Sequence, residues 1–472
     1  MVRFGALAAI ASSALVGVSA LVKKPKETDW VVIVAGSDGW FNYRHQADTC
    51  HAYQIASSWG IPDERIIVMH KDDIAQSRSN PFPGEVFNKP FEETEEGFEV
   101  YKTCPKDYTG SDVTPENFMA VMTGDEKAAN GKKVLKSGPK DDVFVYWTDH
   151  GGPGIIAFPT SYLHVNDLTK TLKTMHDKNM YKKLVFYLEA CESGSMFEKV
   201  LPDDMNIYAT SASSPYESSW ATYCPPYDKV KGKSIGSCLG DLYSVNWMEE
   251  VEKAGKAETL QENFDVTKKL TTQSKVMQWG DVSFVDEEIG DFLADGETKA
   301  QVSEAARKAA LREVPKHAVR AYDVPLHLAY YQYLRASESG DLEEAAHASQ
   351  TLSKEVTHRQ ESVALFKRML TTMYGFQGDQ KMLNSALASP AVYPSMCGSC
   401  CVSAYEKFSE ACGGWTEFNR QFMKVLNNAC IAFQTEAAGE NVDAAATERV
   451  AAAIDAVCPA PEVEKKNHLR WA

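Results

Sequence analysis

Positive charge is scarce in this 472-residue chain: 49 Lys and Arg stand against 65 Asp and Glu, a formal charge of −16. Such a balance repels phosphate backbones, so nucleic acid is excluded as a partner. Low-complexity tracts are also missing. With 44% hydrophobic and 24% charged residues, the composition is that of a folded globular protein, and the length suits two or three domains. Beyond residue 20 no apolar run approaches membrane-spanning length, so no membrane anchor is expected. The chain has no Asn-x-Ser/Thr triplet, so no N-glycosylation is expected either.

The first twenty residues hold one charge, Arg3, an apolar run from Gly5 to Val18, and small residues at Ser19 and Ala20. They read as a signal peptide, which sends the chain into the oxidising secretory pathway, with lysosome, vacuole or the cell exterior as destinations. Eleven cysteines in that setting leave at least one unpaired. Cys191 is the one expected to stay free.

Residues 29 to about 280 alternate strand-like and helix-like segments. Trp30–Ala35 is a continuous apolar run, as in a strand buried on both faces, and Ile66–Met69, Val143–Trp147, Leu184–Leu188 and Ile207–Thr210 repeat the pattern. Helical spacing fills His45 to Trp59 and Asn166 to Lys178, and Thr114-Pro115 reads as a helix N-cap with Pro in the first turn. The expected fold is α/β, a mostly parallel sheet sandwiched by helices. After about residue 282 the strand signal disappears. Residues 283–325 read as a linker and 326–472 as an all-α domain, with Cys397, Cys400, Cys401, Cys412, Cys430 and Cys458 stapling its helices.

Two strands end in chemically loaded turns, Asp149-His150-Gly151-Gly152 and Glu189-Ala190-Cys191-Glu192-Ser193-Gly194. In an open α/β sheet, sites form beyond the carboxyl ends of the strands, so neighbouring strands would join His150 to Cys191. A thiol becomes a nucleophile as its thiolate, favoured by an adjacent imidazole and by a helix N-terminus, which the Cys191 turn is expected to provide. The amides of Cys191 and Gly151 are candidates for holding a tetrahedral oxyanion. Neither residue has the further close-spaced ligands a zinc site needs, and no metal or other cofactor is expected.

The chain resembles the legumains, the asparaginyl endopeptidase family of caspase-like cysteine proteases. The likeness is carried by Gly36-Ser-Asp-Gly-Trp-Phe-Asn-Tyr-Arg-His-Gln-Ala-Asp48, Pro105-Lys-Asp-Tyr-Thr-Gly110, Thr148-Asp-His-Gly151, Glu189-Ala-Cys-Glu-Ser-Gly-Ser195, Glu217-Ser-Ser219 and Leu239-Gly-Asp-Leu-Tyr-Ser-Val-Asn-Trp-Met248. Cys104 departs from the family, which has an apolar residue there. The resemblance implies a caspase-like protease domain over 21–282, an activation peptide over 283–325 and a helical prodomain over 326–472 that inhibits the enzyme from within its own chain. It implies Cys191 as nucleophile, His150 as general base and acid, and Asn42 as the group orienting the imidazole. Arg44, His45, Glu189, Ser218, Ser219 and Asp241 would form the specificity pocket, with Arg44 facing the substrate's amide oxygen and Glu189 and Asp241 its nitrogen.

Such a pocket rejects a charged aspartate as a like charge but accepts a protonated one, so cleavage after Asp is expected only in acid. The resemblance further suggests bridges Cys224–Cys238, Cys401–Cys430 and Cys412–Cys458, with Cys400 as a possible substitute for Cys401. Cys50 is expected as a buried free thiol, a bridge to Cys104 being the alternative. No Asn lies between Phe264 and Leu383, so self-cleavage in the linker would use Asp286, Asp291, Asp295, Asp323 or Asp341, of which Asp323 best fits a family site. The expected partners are protein and peptide substrates with Asn or Asp at the cut. Capture of the thioester by an amine would make the same site a peptide ligase. A catalytically silent binding protein of the same fold is the remaining alternative.

Overall fold

The computed structural model describes residues 29–91, 99–294, 316–376, 379–392, 397–436 and 441–458. The expected signal peptide and Asp295 lie outside the described residues.

A six-stranded sheet organises the first half of the chain. Its strands are β1 (Trp30–Ala35), β2 (Ile66–Met69), β3 (Asp142–Thr148), β4 (Lys183–Glu189), β5 (Ile207–Ser211) and β6 (Met277–Gly280), in the order β6-β5-β4-β3-β1-β2. β1 to β5 pair in parallel, and β6 closes the edge antiparallel to β5. Alternate side chains of β1 to β5 enter two separate cores, which is why these five strands read as unbroken apolar runs. On one face Val31 and Ile33 pack with α1 (Tyr43–Ser58), α4 (Leu242–Ala254) and α5 (Leu260–Leu270). On the other, Val32 and Val34 pack with α2 (Pro115–Thr123) and α3 (Val165–Asp177). Thr114 caps α2 through the Asn117 amide, with Pro115 in its first turn.

Of the stretch read as a linker, residues 283–294 pack into the α/β core. Phe284, Ile289, Phe292 and Leu293 are buried there, the last three on or beside a single turn, α6 (Gly290–Leu293). Their apolar positions are too few for periodicity to reveal. Val319–Arg320 forms an edge strand on Trp220–Thr222, whose other neighbour is Gly240–Asp241.

The helical part comprises α7 (Val324–Ser339), α8 (Leu342–Tyr374), α9 (Gln380–Ala388), α10 (Gly398–Ala411), α11 (Glu417–Arg420), α12 (Met423–Glu436) and α13 (Val442–Val457). Its core, with Phe366, Tyr405, Phe408, Met423 and Ile454, is continuous with Ile155 of the α/β part. No helix among the described residues is long and apolar enough to cross a membrane.

Cysteine pairing departs from expectation at two places. Cys50 is bonded to Cys104 rather than free, tying α1 to the loop after β2. Cys400, not Cys401, takes Cys430, because Cys401 is bridged one helical turn back to Cys397. Cys224–Cys238 and Cys412–Cys458 form as expected, and Cys191 is the one free cysteine.

Candidate active site

Register brings the two loaded turns together. Thr148 at the end of β3 sits opposite Glu189 at the end of β4, and the Asp149 amide donates to the Glu189 carbonyl at 2.9 Å. Two residues on, Gly151 lies against the nucleophile's own backbone: a Cβ there would stand 2.0 Å from the Cys191 carbonyl oxygen. Any side chain at 151 would therefore force the turns apart.

His150 is buried, with Nε2 at 2.9 Å from Asn42 Oδ1. The Asn42 amide nitrogen is used on the Asp38 carbonyl at 2.8 Å, so its oxygen must face the imidazole. Nε2 therefore carries the ring proton and Nδ1 keeps a lone pair for accepting one. Burial, Arg420, His45 and Arg44 hold the imidazole well below its usual range, hence neutral.

Cys191 is buried, with Sγ at 3.3 Å from Ser218 Oγ and 3.6 Å from Ser219 Oγ. Burial, then Glu192, push its thiol up to about 11, so the sulfur is protonated here. The expected helix N-terminus is not present to oppose this. Only a four-residue 3-10 turn, Ser193–Met196, follows the cysteine, and Glu192 before it adopts a left-handed φ of 50°. One short turn carries little dipole.

Beside the pair lies a polar pocket. The buried Arg44 guanidinium donates from Nε to Asp241 Oδ1 at 2.9 Å and from Nη1 to the Phe41 carbonyl at 3.0 Å. Asp241 Oδ2 meets His45 Nε2 at 3.3 Å and the Thr148 hydroxyl at 3.3 Å. Burial alone would raise the Asp241 carboxyl, but Arg44 and His45 outweigh it and hold it at about 2. Glu189 accepts from the Ser244 amide and hydroxyl through Oε2, at 3.1 and 3.2 Å. Burial, then Asp241, push its carboxyl well up. Two atoms in this pocket are buried without a hydrogen-bond partner, Arg44 Nη2 and Glu189 Oε1. One of them is a donor and the other an oxygen that can accept, and both lie in the same cluster of buried polar side chains.

Sequence reasoning expected the helical part over the site, but not that the 319–322 segment and Glu417 would be the residues lying on it. Val319–Arg320 runs antiparallel to Trp220–Thr222, and the Ala321 amide donates to the Ser219 carbonyl at 3.0 Å. Ala321 and Tyr322 then pack directly on Cys191, and the Tyr322 hydroxyl donates to Glu192 at 2.5 Å. From the helical part, Glu417 on α11 places Oε1 3.2 Å from His150 Nε2. Asp323 is kept out of the pocket, its carboxylate bound by Arg359 Nη1 at 2.6 Å. No local pattern marks Glu417, whose significance arises only when α11 meets β3's turn.

His45, Asp149 and His150 bring possible ligand atoms within 4.8 Å of one another, as do two cysteine-containing groups. In the first, His45 Nε2 and His150 Nε2 are already engaged, and in the others the sulfurs are tied in disulfides.

Residues 29–299 match the model of the peptidase C13 family. The chain is similar to the legumain of Rattus norvegicus, 56% identical over 56% of this chain and 58% of that protein, so this match spans little more than half the relative's length. The legumain of Homo sapiens is 41% identical over 85% of this chain and 88% of its own. The vacuolar-processing enzyme of Vicia sativa is 38% identical over 87% and 85%. Among solved structures, caspase-1 from Spodoptera frugiperda aligns over 54% of this chain and 87% of that one, with a TM-score of 0.30 at 9% identity.

Proposed function

The chain belongs to the peptidase C13 family, and from that premise we propose that it is a cysteine endopeptidase, held closed by its own C-terminal part, that cuts peptide bonds after asparagine. The observation that carries the specificity is the pair of unused atoms in the pocket. Arg44 Nη2 offers a hydrogen and Glu189 Oε1 accepts one. A carboxamide presents the complement, a carbonyl oxygen and an N–H, on one short side chain.

The proposed reaction uses the two neighbouring turns and Asn42. His150 Nδ1 takes the Cys191 proton as Sγ attacks the substrate carbonyl carbon, while Asn42 holds the ring through Nε2. The amides of Cys191 and Gly151 would receive the oxyanion, and a donor of this kind typically contributes about 2.7–4 kcal/mol. The proton on His150 then leaves with the departing amine, and water activated by the same imidazole opens the thioester. A charged aspartate would meet the ionised Asp241 as a like charge, so that cut needs a proton on the substrate and belongs to acid.

In the closed state the 319–322 segment lies where a substrate strand would pair with Trp220–Thr222, and Glu417 covers the base. A thiol raised to about 11 is a further brake that uncovering would release. Residues 21–282, with 283–294 packed on them, would form the catalytic part, and 326–472 the inhibitor. Delivery to a lysosome or vacuole accords with the acid requirement. Cleavage of matched Asn, Asp, Arg and Gln peptides across about pH 4 to 7, after acid incubation and with Cys191→Ala as control, tests the reading. Asn peptides should be cut over the widest range. Equal rates on Gln, or activity in the Cys191→Ala chain, would overturn it.

A further inference from the structure

We propose that Asp48, acting with Asn88, is a positioning residue for substrate selection: the two clamp the turn that carries Asp241 and so aim its carboxylate at Arg44. The inference rests on the reading of Arg44, Glu189 and Asp241 as the pocket for the substrate side chain. Asp48 lies one helical turn beyond Arg44 on α1, so both side chains reach the Gly240–Asp241 strand. Its carboxylate is wholly buried. Oδ2 accepts the Asp241 backbone N–H at 3.1 Å, and Oδ1 accepts Asn88 Nδ2 at 2.7 Å. The other hydrogen of that amide goes to the Leu239 carbonyl at 2.8 Å. Between them, Asp48 and Asn88 therefore hold both peptide groups that flank Gly240.

The turn has no slack. A Cβ at Gly240 would stand 2.5 Å from Val245 Cγ1, 3.0 Å from Asn88 Nδ2 and 3.1 Å from Asp48 Oδ1, so the backbone is pressed onto the clamp. Asn88 is fixed in its turn: Oδ1 meets His51 Nδ1 at 2.7 Å, and its nitrogen faces two acceptors, so a flipped amide would set oxygen against oxygen. His51 Nε2 lies 3.3 Å from Glu252 Oε1. Filling space does not call for a buried carboxylate, which is costly to desolvate. Burial and Asp241 push the Asp48 carboxyl well up, but its geometry is what matters here: it sets an oxygen against each of two N–H donors, where an amide would set an NH2 against one of them and an alkyl group would offer nothing. Small displacements of a positioning group are costly in a preorganised site. Loosening this turn therefore frees Asp241, and with it Arg44, to turn away from the substrate, while Cys191 and His150 keep their own supports.

The test uses the full chain after acid incubation, as parent, Asp48→Asn and Asn88→Ala. The second variant leaves the Asp48 carboxylate in place if the first does not fold. With the concentration of reactive Cys191 titrated by iodoacetamide, kcat and KM are measured on Asn, Asp, Arg and Gln peptides. The clamp predicts that KM for the residue the parent prefers rises at least about tenfold in both variants, as for loss of a hydrogen bond to a charged group, while kcat per reactive thiol changes less than about threefold. Alkylation of Cys191 should proceed at the parent's rate. An unchanged KM in either folded variant overturns the clamp, as does a loss confined to kcat with slowed alkylation. A parent that prefers a residue other than Asn would overturn the asparagine reading, and the variant-to-parent ratio on the preferred residue would still decide the clamp.

Discussion

On the proposed asparagine reading, Glu189 would decide between two substrates by the direction of one hydrogen bond. Its Oε2 is committed to the Ser244 amide and hydroxyl, so in Glu189→Gln the new oxygen must stay there and the NH2 turns into the pocket beside Arg44 Nη2. Two donors then face the substrate, which suits a carboxylate and leaves a carboxamide's N–H unpaired. Asp peptides should be cut by this variant at about pH 7, and kcat/KM for Asn should fall about a hundredfold, as expected when a site built for one hydrogen-bond pattern meets another. Retained Asn preference would contradict the role given to Oε1. A second group tests the cover. Burial in the closed state pushes the Glu192 carboxyl up to about 8 from its usual 4.5. A raised carboxyl means the closed state binds the extra proton, so its contribution is fully present below pH 4.5 and is lost as pH rises through 8. In an inert Cys191→Ala background, thermal stability should therefore decline over that window, and Glu192→Gln should flatten the decline. Cys191, His150 and Gly151 were legible as residues because both turns are short and local. Arg44, Glu189 and Asp241 came through the family resemblance, since nothing in their spacing shows that α1, β4 and a distant strand converge. Which of their atoms are left unused is visible only once all three are packed.

At the level of elements, apolar runs and caps were enough to place the buried strands and helices. β1 to β5 are continuous runs because both faces are covered, and Thr114-Pro115 carries its own start signal. The elements that escaped are those stabilised by a neighbour. β6 has a mixed exterior and earns its place by pairing with β5, and Val319–Arg320 is two residues long with no pattern of its own. That short strand is nevertheless what lies across the site, so its attachment to Trp220–Thr222 should govern how firmly the enzyme is closed. Ala321→Pro removes the N–H that reaches the Ser219 carbonyl, a hydrogen bond worth about 1 kcal/mol net. The closed chain should open roughly fivefold more readily, read as faster alkylation of Cys191 at neutral pH. An unchanged alkylation rate would mean that α11, rather than the strand, holds the cover.

Across the whole molecule, the cover and the cut are coupled through charge. The chain has no asparagine between Phe264 and Leu383, so on the proposed reading opening by self-cleavage would depend on an aspartate accepting a proton. Asp323 is the candidate nearest the site, but Arg359 on α8 grips its carboxylate with Nη1 and the Tyr322 carbonyl with Nη2 at 2.9 Å. One arginine of the helical part thus holds both the covering segment and the residue proposed for cleavage. Losing that grip would release the Tyr322 carbonyl and the Asp323 side chain together, so the cover would lift under milder conditions. Arg359→Ala should therefore let the chain mature at a higher pH than the parent. Mass spectrometry of both chains, incubated from about pH 4 to 7, should find a new C-terminus at Asp323 first, appearing in the variant at the less acidic end. If no cut arises at Asp286, Asp291, Asp295, Asp323 or Asp341 in acid, activation proceeds without these aspartates. If cuts arise but Arg359→Ala leaves their pH dependence unchanged, the arginine is packing alone and the proton acts only inside the pocket.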